Sequence, residues 1–478
     1  GRHLRTVTMN FSLRCVFAIS CILAVTVTPT QALDNGLGRT PPLGWSSWNY
    51  FANHINETVF EEMADALVST GLAKVGYTYI NVDAGYLTHQ RDINGKLVVD
   101  KTKFPSGMRH LSEYIHSKGL KLGVYTDLTA HSCGTGPGSY EHYEIDADTF
   151  ANDWQADYLK VDYCGGTPSR EPAPQYAAFT ALGQALNNTG RNIYYSICPH
   201  TNTPASGTGL PYHGVSIYSP PQVWNSSQRQ NLANSLLVEY VNSFDLWYAD
   251  PIPAGDGGAM AMPGGMITNI DSMVQMTDLK YSLPGSWNDA DMLQICTYGE
   301  GATRHWNSTG KPGNTHGTGM TLTEYEAHLS VWAIMASPLI MSADLRTVAA
   351  RHPDCLKLML NPEIVAVNQD AGGLSPKFVG AETNITGSTY LQVNSTAIIG
   401  QTWMRPLLGN RVAVVLFNRA DSDRAMSVKW EDLGLKPTQE MKVRDVVKQL
   451  DLPQATSVYS ATVKAHGVSF VVLSPVTT

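Results

Sequence analysis

The apolar and polar positions of the chain follow one repeating order between about residues 40 and 345. A short apolar run, rich in β-branched and aromatic residues, ends in a polar cluster, and a segment with helical spacing follows it. The segment 57–76 is typical, because its apolar residues recur three and four positions apart until Gly76. Short β-rich runs that alternate with helical periods predict strands that alternate with helices.

The repeating order contains eight strand candidates. They are the segments 40–48, 77–86, 120–127, 158–164, 192–198, 242–250, 285–293 and 337–345. Alternating strands and helices favour a parallel sheet, and eight units close a (β/α)8 TIM barrel, so the predicted fold class is α/β. An open doubly wound sheet is the alternative, but the sequence has no G-x-G-x-x-G turn after its first strand.

The pattern changes at about residue 375. From there to the C-terminus the apolar runs are short, alternating and β-branched, and turn residues separate them at intervals of about ten residues. This pattern predicts an antiparallel β-sandwich. We therefore divide the chain into a leader and signal peptide (1–32), a (β/α)8 barrel (33–372) and a C-terminal antiparallel β-domain (373–478), which we expect to pack against the barrel.

The N-terminal segment has the composition of a secretory signal. After Met9 come one basic residue, Arg14, an apolar stretch at 15–27 and, at 30–32, a segment with small residues that is typical of a signal-peptide cleavage site. The apolar stretch is short for a membrane span, although an uncleaved anchor stays open as the alternative. We set residues 1–8 aside as leader, and we predict a secreted or vacuolar/lysosomal protein with no membrane partner.

The charge of the chain argues against several classes of partner. The formal net charge is −8, and only 15% of the residues are charged. Nucleic acids and anionic membrane surfaces are bound by basic patches, which this composition does not supply. A neutral substrate fits the balance of charge, and we expect no nucleic-acid partner.

Five cysteines remain downstream of the signal, namely Cys133, Cys164, Cys198, Cys296 and Cys355. They include no C-x-x-C pair and no Cys/His spacing typical of zinc sites, so we expect disulfides rather than a metal. The odd number leaves at least one free thiol. Cys198 and Cys296 both follow predicted strand ends and could pair. Six N-x-S/T sequons downstream of residue 32 are consistent with a glycoprotein.

Residues capable of chemistry cluster at the carboxyl ends of the predicted strands, where barrels carry their functional groups. They are Trp48, Asp83, Tyr125, Asp127, Lys160, Asp162, Cys198, Asp250, Asp289 and Asp291. Any one of these carboxylates alone is explained as well by capping a strand, but several on one face indicate a site. Carboxylates can bind a metal ion, or they can cleave a glycosidic bond as nucleophile and general acid. The aromatic residues among them favour a sugar.

A set of motifs carries a family resemblance. They are PPLGWSSWNYF (41–51), INVDAGY (80–86), FPSGMRHLSEYIHSKGLKLGVYTD (104–127), the segment from CGTGPG to KVDYC (133–164), PGSWNDADML (284–293), and WAIMASPLIMSADLR with NPEIVAVNQD (332–370). In this order they resemble family 27 of the glycoside hydrolases, which contains retaining α-galactosidases and α-N-acetylgalactosaminidases. The resemblance covers about residues 37–375 and implies a (β/α)8 barrel followed by an antiparallel β-domain.

The resemblance implies roles for several strand-end residues. Asp162 matches the nucleophile of the family. Lys160 matches a lysine that contacts sugar hydroxyls, and because it shares a strand face with Asp162 we expect it to lower the pKa of that carboxyl. Cys133 and Cys164 match a disulfide that ties two loops together. The expected substrate-binding residues are Trp48, Asp83, Tyr125, Lys160 and Asp291.

The general acid is less well marked in the sequence. The family carries it after strand six in a Trp-Arg-x-x-Gly/Ala-Asp pattern, and the nearest match, DLWYAD at 245–250, makes Asp250 the candidate. An insertion rich in glycine, proline and methionine follows at 251–269. Asp256 and Asp271 are therefore competitors. We favour Asp250 because it ends a predicted strand.

Three residues depart from the family pattern where the substrate is recognised. Ala84 replaces the second residue of an Asp pair that holds the 4- and 6-hydroxyls of galactose, Pro199 replaces a sugar-contacting Glu, and Leu246 replaces the strand-six Arg. Loss of a carboxylate removes a charge-assisted hydrogen bond and relaxes discrimination at that hydroxyl. Ala84 therefore favours a sugar that lacks the exocyclic CH2OH, such as β-L-arabinopyranose.

These features predict a retaining exo-glycosidase that hydrolyses terminal α-linked galactose with two carboxylates, without a cofactor or a metal. The expected partner is a galactosyl-type saccharide, and a homodimer stays open. The alternatives are a β-L-arabinopyranosidase or α-N-acetylgalactosaminidase on the same machinery and, from another class, a non-catalytic galactose-binding barrel. A nucleotide-sugar transferase with a D-x-D metal motif at 289–291 is disfavoured, because we find no nucleotide-binding fold.

Overall fold

Eight parallel strands form the sheet at the centre of the N-terminal domain. A computed structural model describes residues 1, 35–133, 136–164, 168, 172–198, 235–237, 265–277, 282–301, 319–385 and 397–476. The strands are β1 (Leu43–Ser46), β2 (Tyr79–Asn81), β3 (Lys121–Asp127), β4 (Tyr158–Asp162), β5 (Tyr194–Ile197), β6 (Ser235–Leu237), β7 (Trp287–Asp289) and β8 (Leu339–Met341). β1 to β7 pair in sequence order, and β1 also pairs with β8.

The sheet closes between β7 and β8. Leu293, just beyond β7, forms a parallel bridge with Met341, and its N–H donates to the carbonyl oxygen of Ile340 at 2.8 Å. A closed ring of eight parallel strands is a TIM barrel, which confirms the predicted fold class. Every residue of β1, β2 and β5 is buried, as expected of a parallel sheet that helices cover.

The sixth strand is Ser235–Leu237, not the predicted segment 242–250. It pairs in parallel with β5 through Ser196 and with β7 through Asp289, so it fills the place between these two strands. The predicted segment lies outside the described residues. Two apolar runs follow one another in this part of the sequence. The first forms the strand because it pairs with β5 and β7, and the pattern of apolar positions does not show this pairing.

Helices connect the strands, and some begin at polar residues that cap them. They are α1 (Trp48–Phe51), α2 (Glu57–Ser69), α3 (Leu72–Val75), α4 (Met108–Ser117), α5 (Tyr143–Asp148), α6 (Pro172–Asn188), α7 (Met266–Thr277), α8 (Leu322–Ile334), α9 (Leu345–Arg351), α10 (Pro353–Met359) and α11 (Pro362–Asn368), with a π-helical turn at Thr149–Asp153. The side chain of Asn56 accepts a hydrogen bond from the N–H of Val59 and caps α2. Thr321 and Glu324 form a capping box at the start of α8. Within the described residues no helix is long and apolar enough to cross a membrane.

The helix predicted at 57–76 is divided into α2 and α3. Gly71 lies between them with a φ of 87°, a left-handed conformation that glycine adopts without strain. The apolar spacing continues across this break, so periodicity alone did not reveal it. Gly76 follows the last residue of α3, in agreement with the predicted end.

The C-terminal domain consists of antiparallel strands, as predicted. They are β9 (Lys377–Thr383), β10 (Ile398–Leu407), β11 (Arg411–Asn418), β12 (Arg424–Lys429), β13 (Glu440–Asp445), β14 (Leu450–Thr456), β15 (Val458–Val463) and β16 (Val468–Pro475). One sheet has the order β14-β13-β16-β11-β10-β9, and β12 pairs with β15 in a second. Val414 and Leu473 of the first sheet and Val428 of the second belong to one buried core, which is the arrangement of a β-sandwich.

The β-domain packs against the last helices of the barrel. Arg405 of β10 is fully buried and donates to the carbonyl oxygens of Val367 at 2.7 Å and Asn368 at 2.9 Å, at the end of α11. Asn361, which caps α11, donates to the carbonyl oxygen of Val446 at 2.9 Å. Most residues of α8 are buried, because this helix contacts both β8 of the barrel and strands β10, β11 and β16 of the β-domain.

Candidate active site

A pocket opens at the carboxyl ends of the barrel strands. Its lining consists of Ser46, Trp48, Asn81, Val82, Asp83, Ala84, Tyr125, Cys133, Tyr158, Lys160, Asp162, Ser196, Ile197, Cys198, Asp289, Asp291, Met292 and Ile340. This set includes the candidate nucleophile and all five residues that we expect to bind the substrate. The barrel therefore brings together residues that are spread over more than half of the sequence.

Asp162 is the last residue of β4 and is buried in the pocket wall. Burial raises the pKa of its carboxyl above the usual range, and the charge of Asp83 adds to this shift. The Lys160 ammonium lowers the pKa of Asp162, as do the neighbouring Tyr125 hydroxyl and Cys198 thiol. Lys160 therefore lowers the pKa of Asp162, as expected, but burial has the larger effect and the net shift is upward.

Lys160 forms an ion pair with Asp83 in the loop after β2. Its Nζ lies 2.8 Å from Oδ2 of Asp83 and 5.5 Å from the centre of the Tyr125 ring. Burial by itself lowers the pKa of Lys160, but the charges of Asp162, Asp83 and Asp291 raise it well above its usual value. Lys160 therefore stays protonated and supplies a permanent cation to the pocket.

The turn after β2 presents one carboxylate and one methyl group. The N–H of Asp83 donates to Oγ of Ser47 at 3.1 Å, and the N–H of Ala84 donates to Oδ1 of Asp83 at 2.8 Å. These bonds fix the turn, while Oδ2 of Asp83 binds Lys160. Ala84 is 2% exposed and lines the pocket, so an apolar wall stands where the resemblance implies a second carboxylate.

Two more carboxylates belong to the end of β7 and the loop that follows. Burial raises the pKa of Asp289 to about 7, and the charge of Asp291 adds to the shift. Oδ1 of Asp289 accepts a hydrogen bond from the N–H of Asp291 at 2.8 Å. Of these two carboxylates, the family resemblance implied a role for Asp291 alone. The D-x-D spacing was the signal for Asp289, because residues two apart at a strand end can face one side.

Two disulfides stabilise loops of the barrel. Cys133 and Cys164 are bonded, with Cα atoms 5.2 Å apart, as the resemblance implied. The second disulfide joins Cys296, in the loop after β7, to Cys355 of α10, with Cα atoms 5.7 Å apart. Cys198 is free and buried, so the suggested pairing of Cys198 with Cys296 is wrong. The two partners of the second bond are 59 positions apart, and their spacing gave no sign of the pairing.

Asp127, the last residue of β3, is a buried carboxylate that supports two loops. It accepts hydrogen bonds from the N–H and the hydroxyl of Thr129, at 2.7 and 2.6 Å, and from the N–H of Cys164 at 2.9 Å. Burial raises the pKa of Asp127 to about 6, although these hydrogen bonds lower it in part. Asp127 therefore links the loop after β3 to the loop after β4, beside the first disulfide.

Two of the three general-acid candidates, Asp250 and Asp256, lie outside the described residues, as do Pro199 and Leu246. The structural reason for favouring Asp250 was that it should end the sixth strand. Since the sixth strand is β6, that reason no longer holds, and the assignment of Asp250 depends on the resemblance alone.

Asp271, the third candidate, lies in α7 and binds the β-domain. Its Oδ1 lies 2.6 Å from Nη1 of Arg419, and it accepts a hydrogen bond from Nε2 of Gln401 at 3.0 Å. Among the described residues that line the pocket, Asp271 does not appear. Its carboxylate is thus used for contact between the barrel and the β-domain.

The pocket carboxylates are not arranged as a metal site in the described part of the chain. Only two groups there bring three ligand atoms within 4.8 Å of one another, and neither is a set of pocket carboxylates. One contains Asp127 with Cys133 and Cys164, whose sulfur atoms are joined in the disulfide. The pocket instead combines its carboxylates with the cation of Lys160, which suits a glycosidase.

Comparison with known families gives two matches. The family described as alpha galactosidase A matches residues 40–208 and 265–370, and the alpha galactosidase C-terminal beta sandwich domain matches residues 400–473. Together they cover more than half of the chain. The first match is interrupted at 209–264, which includes β6, Asp250 and most of the insertion predicted at 251–269.

Individual relatives agree with these matches. The chain is 36% identical to alpha-galactosidase 3 of Arabidopsis thaliana over 93% of this chain and 84% of that protein. It is 34% identical to the alpha-galactosidase of Cyamopsis tetragonoloba over 92% and 88% of the two chains. The crystal structure of alpha-galactosidase I from Mortierella vinacea superposes with a TM-score of 0.73 at 27% identity, covering 93% of this chain and all of that one. Similarity of this extent shows that the chain belongs to glycoside hydrolase family 27, the α-galactosidase family.

Proposed function

We propose that the chain is a retaining α-galactosidase in which Asp162 is the nucleophile. The observation that carries the proposal is the position of Asp162, buried at the end of the fourth barrel strand in a pocket that also holds the Lys160–Asp83 ion pair. Relatives named alpha-galactosidase that are 32–36% identical over most of the chain support the choice of sugar.

The proposed reaction is a double displacement. The Asp162 carboxylate attacks the anomeric carbon and forms a glycosyl ester, while a general acid gives its proton to the departing oxygen. Water then attacks the same carbon, the acid residue now removes the proton of the water, and galactose leaves with its original configuration. The attack requires ionised Asp162. The Lys160 cation and the polar groups of Tyr125 and Cys198 favour this ionised form, whereas burial opposes it.

Five pocket residues are proposed to hold the sugar. Asp83, Lys160 and Asp291 offer charged groups to the hydroxyls, and charge-assisted hydrogen bonds are the stronger ones. Trp48 and Tyr125 offer aromatic surface to the ring face. All five line the pocket, and the mechanism assigned to them uses no cofactor and no metal.

The nucleophile is tested by Asp162→Asn. Hydrolysis of p-nitrophenyl α-galactoside should fall by about a thousandfold or more, because no carboxylate remains to form the ester. The galactose first released by the unmutated enzyme should be the α anomer when followed by NMR. If the unmutated protein binds galactose and hydrolyses no glycoside, the non-catalytic alternative replaces this proposal.

Asp250 stays our candidate for the general acid, with Asp256 as its competitor. Because β6 ends at Leu237, the rule that barrel enzymes act at strand ends adds a third candidate, Glu239, the first carboxylate that follows this strand in the sequence.

A variant that lacks the general acid should still cleave p-nitrophenyl α-galactoside, because its leaving group needs no proton, and azide should accelerate the reaction. We expect this behaviour of Asp250→Asn, and wild-type rates of Asp256→Asn. If Glu239→Gln shows it instead, Glu239 is the acid.

A β-L-arabinopyranosidase is the second candidate, and one observation favours it. The methyl group of Ala84 lines the pocket where the family pattern has a carboxylate for the 4- and 6-hydroxyls. Rates on p-nitrophenyl α-galactoside and p-nitrophenyl β-L-arabinopyranoside separate the two activities. Ala84→Asp should shift the ratio toward galactoside, and a wild-type enzyme that already prefers galactoside strongly would exclude the second candidate. The α-N-acetylgalactosaminide serves as a third substrate in the same assay.

We also propose that the enzyme passes through the secretory pathway to the cell exterior or the vacuole or lysosome. Two disulfides support this, because such bonds form in oxidising compartments. Sequencing the N-terminus of the mature protein tests the predicted signal peptide, which should end near residue 32. Homodimer formation stays a prediction that sedimentation analysis can check.

A further inference from the structure

Asp291 occupies a backbone conformation that its surroundings must maintain. Its φ is 71°, in the left-handed region that residues with a side chain seldom adopt. Asp291 is also buried and lines the pocket. Residues held in such conformations at a pocket are placed there by neighbours that make many contacts with the backbone.

The peptide before Asp291 is bound by side chains from two other elements. The N–H of Ala290 donates to Oγ of Ser337 at 2.9 Å, and the carbonyl oxygen of Ala290 accepts from Nδ2 of Asn269 at 2.8 Å. Asn269 lies in α7, and Ser337 follows α8. Both are buried, so solvent does not replace these bonds.

The backbone of Asp291 itself is bound in the same way. Its N–H donates to Asp289, as described above, and its carbonyl oxygen accepts from Nε1 of Trp332 at 2.8 Å. Trp332 is fully buried in α8, and its ring packs edge-on against His328 with centroids 4.1 Å apart. A phenylalanine could fill most of this space. The indole N–H is what distinguishes tryptophan here.

We propose that Trp332 and Asn269 are positioning residues, which hold Asp291 in its left-handed conformation and so keep its carboxylate in the sugar pocket. Neither needs to contact the substrate. This inference rests on the proposed role of Asp291 in binding the sugar, and it assigns a task in substrate recognition to two helices outside the barrel sheet. Without the indole donor the carbonyl oxygen of Asp291 loses a buried partner, and its backbone can relax toward the ordinary region.

Trp332→Phe tests the proposal, with Trp430→Phe as the matched control. Trp430 is also fully buried and donates from Nε1 to a carbonyl oxygen, that of Gln439, at 2.8 Å, but it lies in the β-domain. We expect both variants to lower the melting temperature. Only Trp332→Phe should raise KM for p-nitrophenyl α-galactoside and Ki for galactose, by about threefold to tenfold, with kcat changed much less. Equal KM values for the two variants would overturn the proposal.

A double-mutant cycle with Asp291→Asn separates action through Asp291 from a general effect. In the Asp291→Asn background, Trp332→Phe should raise KM no further, whereas additive effects would contradict the proposal. If Asp291→Asn alone leaves KM unchanged, the sugar-binding role of Asp291 fails, and this inference fails with it. If Asp291→Asn raises KM and Trp332→Phe does not, only the inference about Trp332 fails.

Asn269→Leu, which replaces the amide by an apolar side chain of similar size, is a second test if Trp332→Phe does not fold. It removes the amide donor to Ala290 and leaves Trp332 in place. The same rise in KM, again absent in the Asp291→Asn background, is expected. An unchanged KM in this variant would remove Asn269 from the proposal.

Discussion

The ammonium of Lys160 binds the carboxylate of Asp83 at 2.8 Å, and this pair lies beside Asp162 in the pocket. Lys160 thus connects a proposed sugar-binding residue with the proposed nucleophile. Its charge lowers the pKa of Asp162 against the effect of burial. We therefore expect the ion pair to affect both sugar binding and catalysis.

Lys160→Met should move the acidic limb of the pH profile to higher pH. Without the cation the pKa of Asp162 rises further, so a larger fraction of the nucleophile is protonated at a given acidic pH. We also expect kcat/KM to fall by about a hundredfold, since the lost charge also stabilises the reacting state. The profile of kcat/KM against pH checks this. Lys96→Met, which removes an exposed lysine paired with Asp153, should leave the limb unchanged.

Asp289 should make the protein less stable as pH rises. Its pKa is about 7 in the folded state against 3.8 ordinarily, so the folded state binds more protons between these values. Stability is therefore lost progressively from about pH 4 to about pH 7, by a few kcal/mol at most. Asp289→Asn should be more stable than the wild type at pH 8 and equal to it at pH 4.

Denaturant unfolding at pH 4, 6 and 8 measures this difference. Asn can still accept the hydrogen bond from Asp291, so the comparison isolates the charge. Glu440→Gln, at an exposed position of β13, should change little at any of these pH values. A loss of stability in Asp289→Asn that is the same at all three would contradict the prediction.

Asp271→Asn should affect stability and not catalysis. The side chain of Arg419 is fully buried, so removal of the carboxylate 2.6 Å away leaves its charge poorly compensated, at a cost of about 3 kcal/mol or more. We expect a lower melting temperature and an unchanged kcat per folded molecule. A large fall in kcat with no change in melting temperature would instead return Asp271 to the candidates for the general acid.

Loss of the Cys296–Cys355 disulfide should destabilise the fold by about 4 kcal/mol, the loop-closure estimate for partners 59 positions apart. Replacement of both cysteines by serine, followed by denaturant unfolding, measures this.

Titration of free thiols provides the control for the disulfide pairing. With residues 1–32 removed, the wild type should show one reactive thiol after denaturation, that of Cys198, and a slower reaction when folded because Cys198 is buried. More than one thiol would contradict the pairing.

The sequence was sufficient for most of the pocket because strand ends can be located from it. The residues near the carboxyl ends of β2, β3, β4 and β7 lie where an apolar run meets a polar cluster, and barrel geometry gathers these strand ends on one face. Asp83, Tyr125, Asp162 and Asp291 were found in this way. The disulfide between Cys133 and Cys164 was available only through the family resemblance.

The features that the sequence did not predict depend on contacts between residues that are far apart in the chain. The choice of β6 over 242–250 depends on hydrogen bonds to two neighbouring strands. The pairing of Asp271 with Arg419 joins residues 148 positions apart across two domains. The pKa of Asp162 is raised because burial has a larger effect than the nearby Lys160 cation. Residue spacing shows the size of neither effect.

The bond between the N–H of Leu293 and the carbonyl oxygen of Ile340 closes the barrel two residues beyond Asp291. The loop that shapes one wall of the pocket therefore also closes the barrel, at the contact between the residues after β7 and strand β8, which we call the seam. Insertions at this seam would disturb the contact that closes the barrel, whereas the turn with Ala84 follows β2, which is paired with β1 and with β3. Engineering of new sugar preferences should therefore succeed more readily at the Ala84 turn than at the seam.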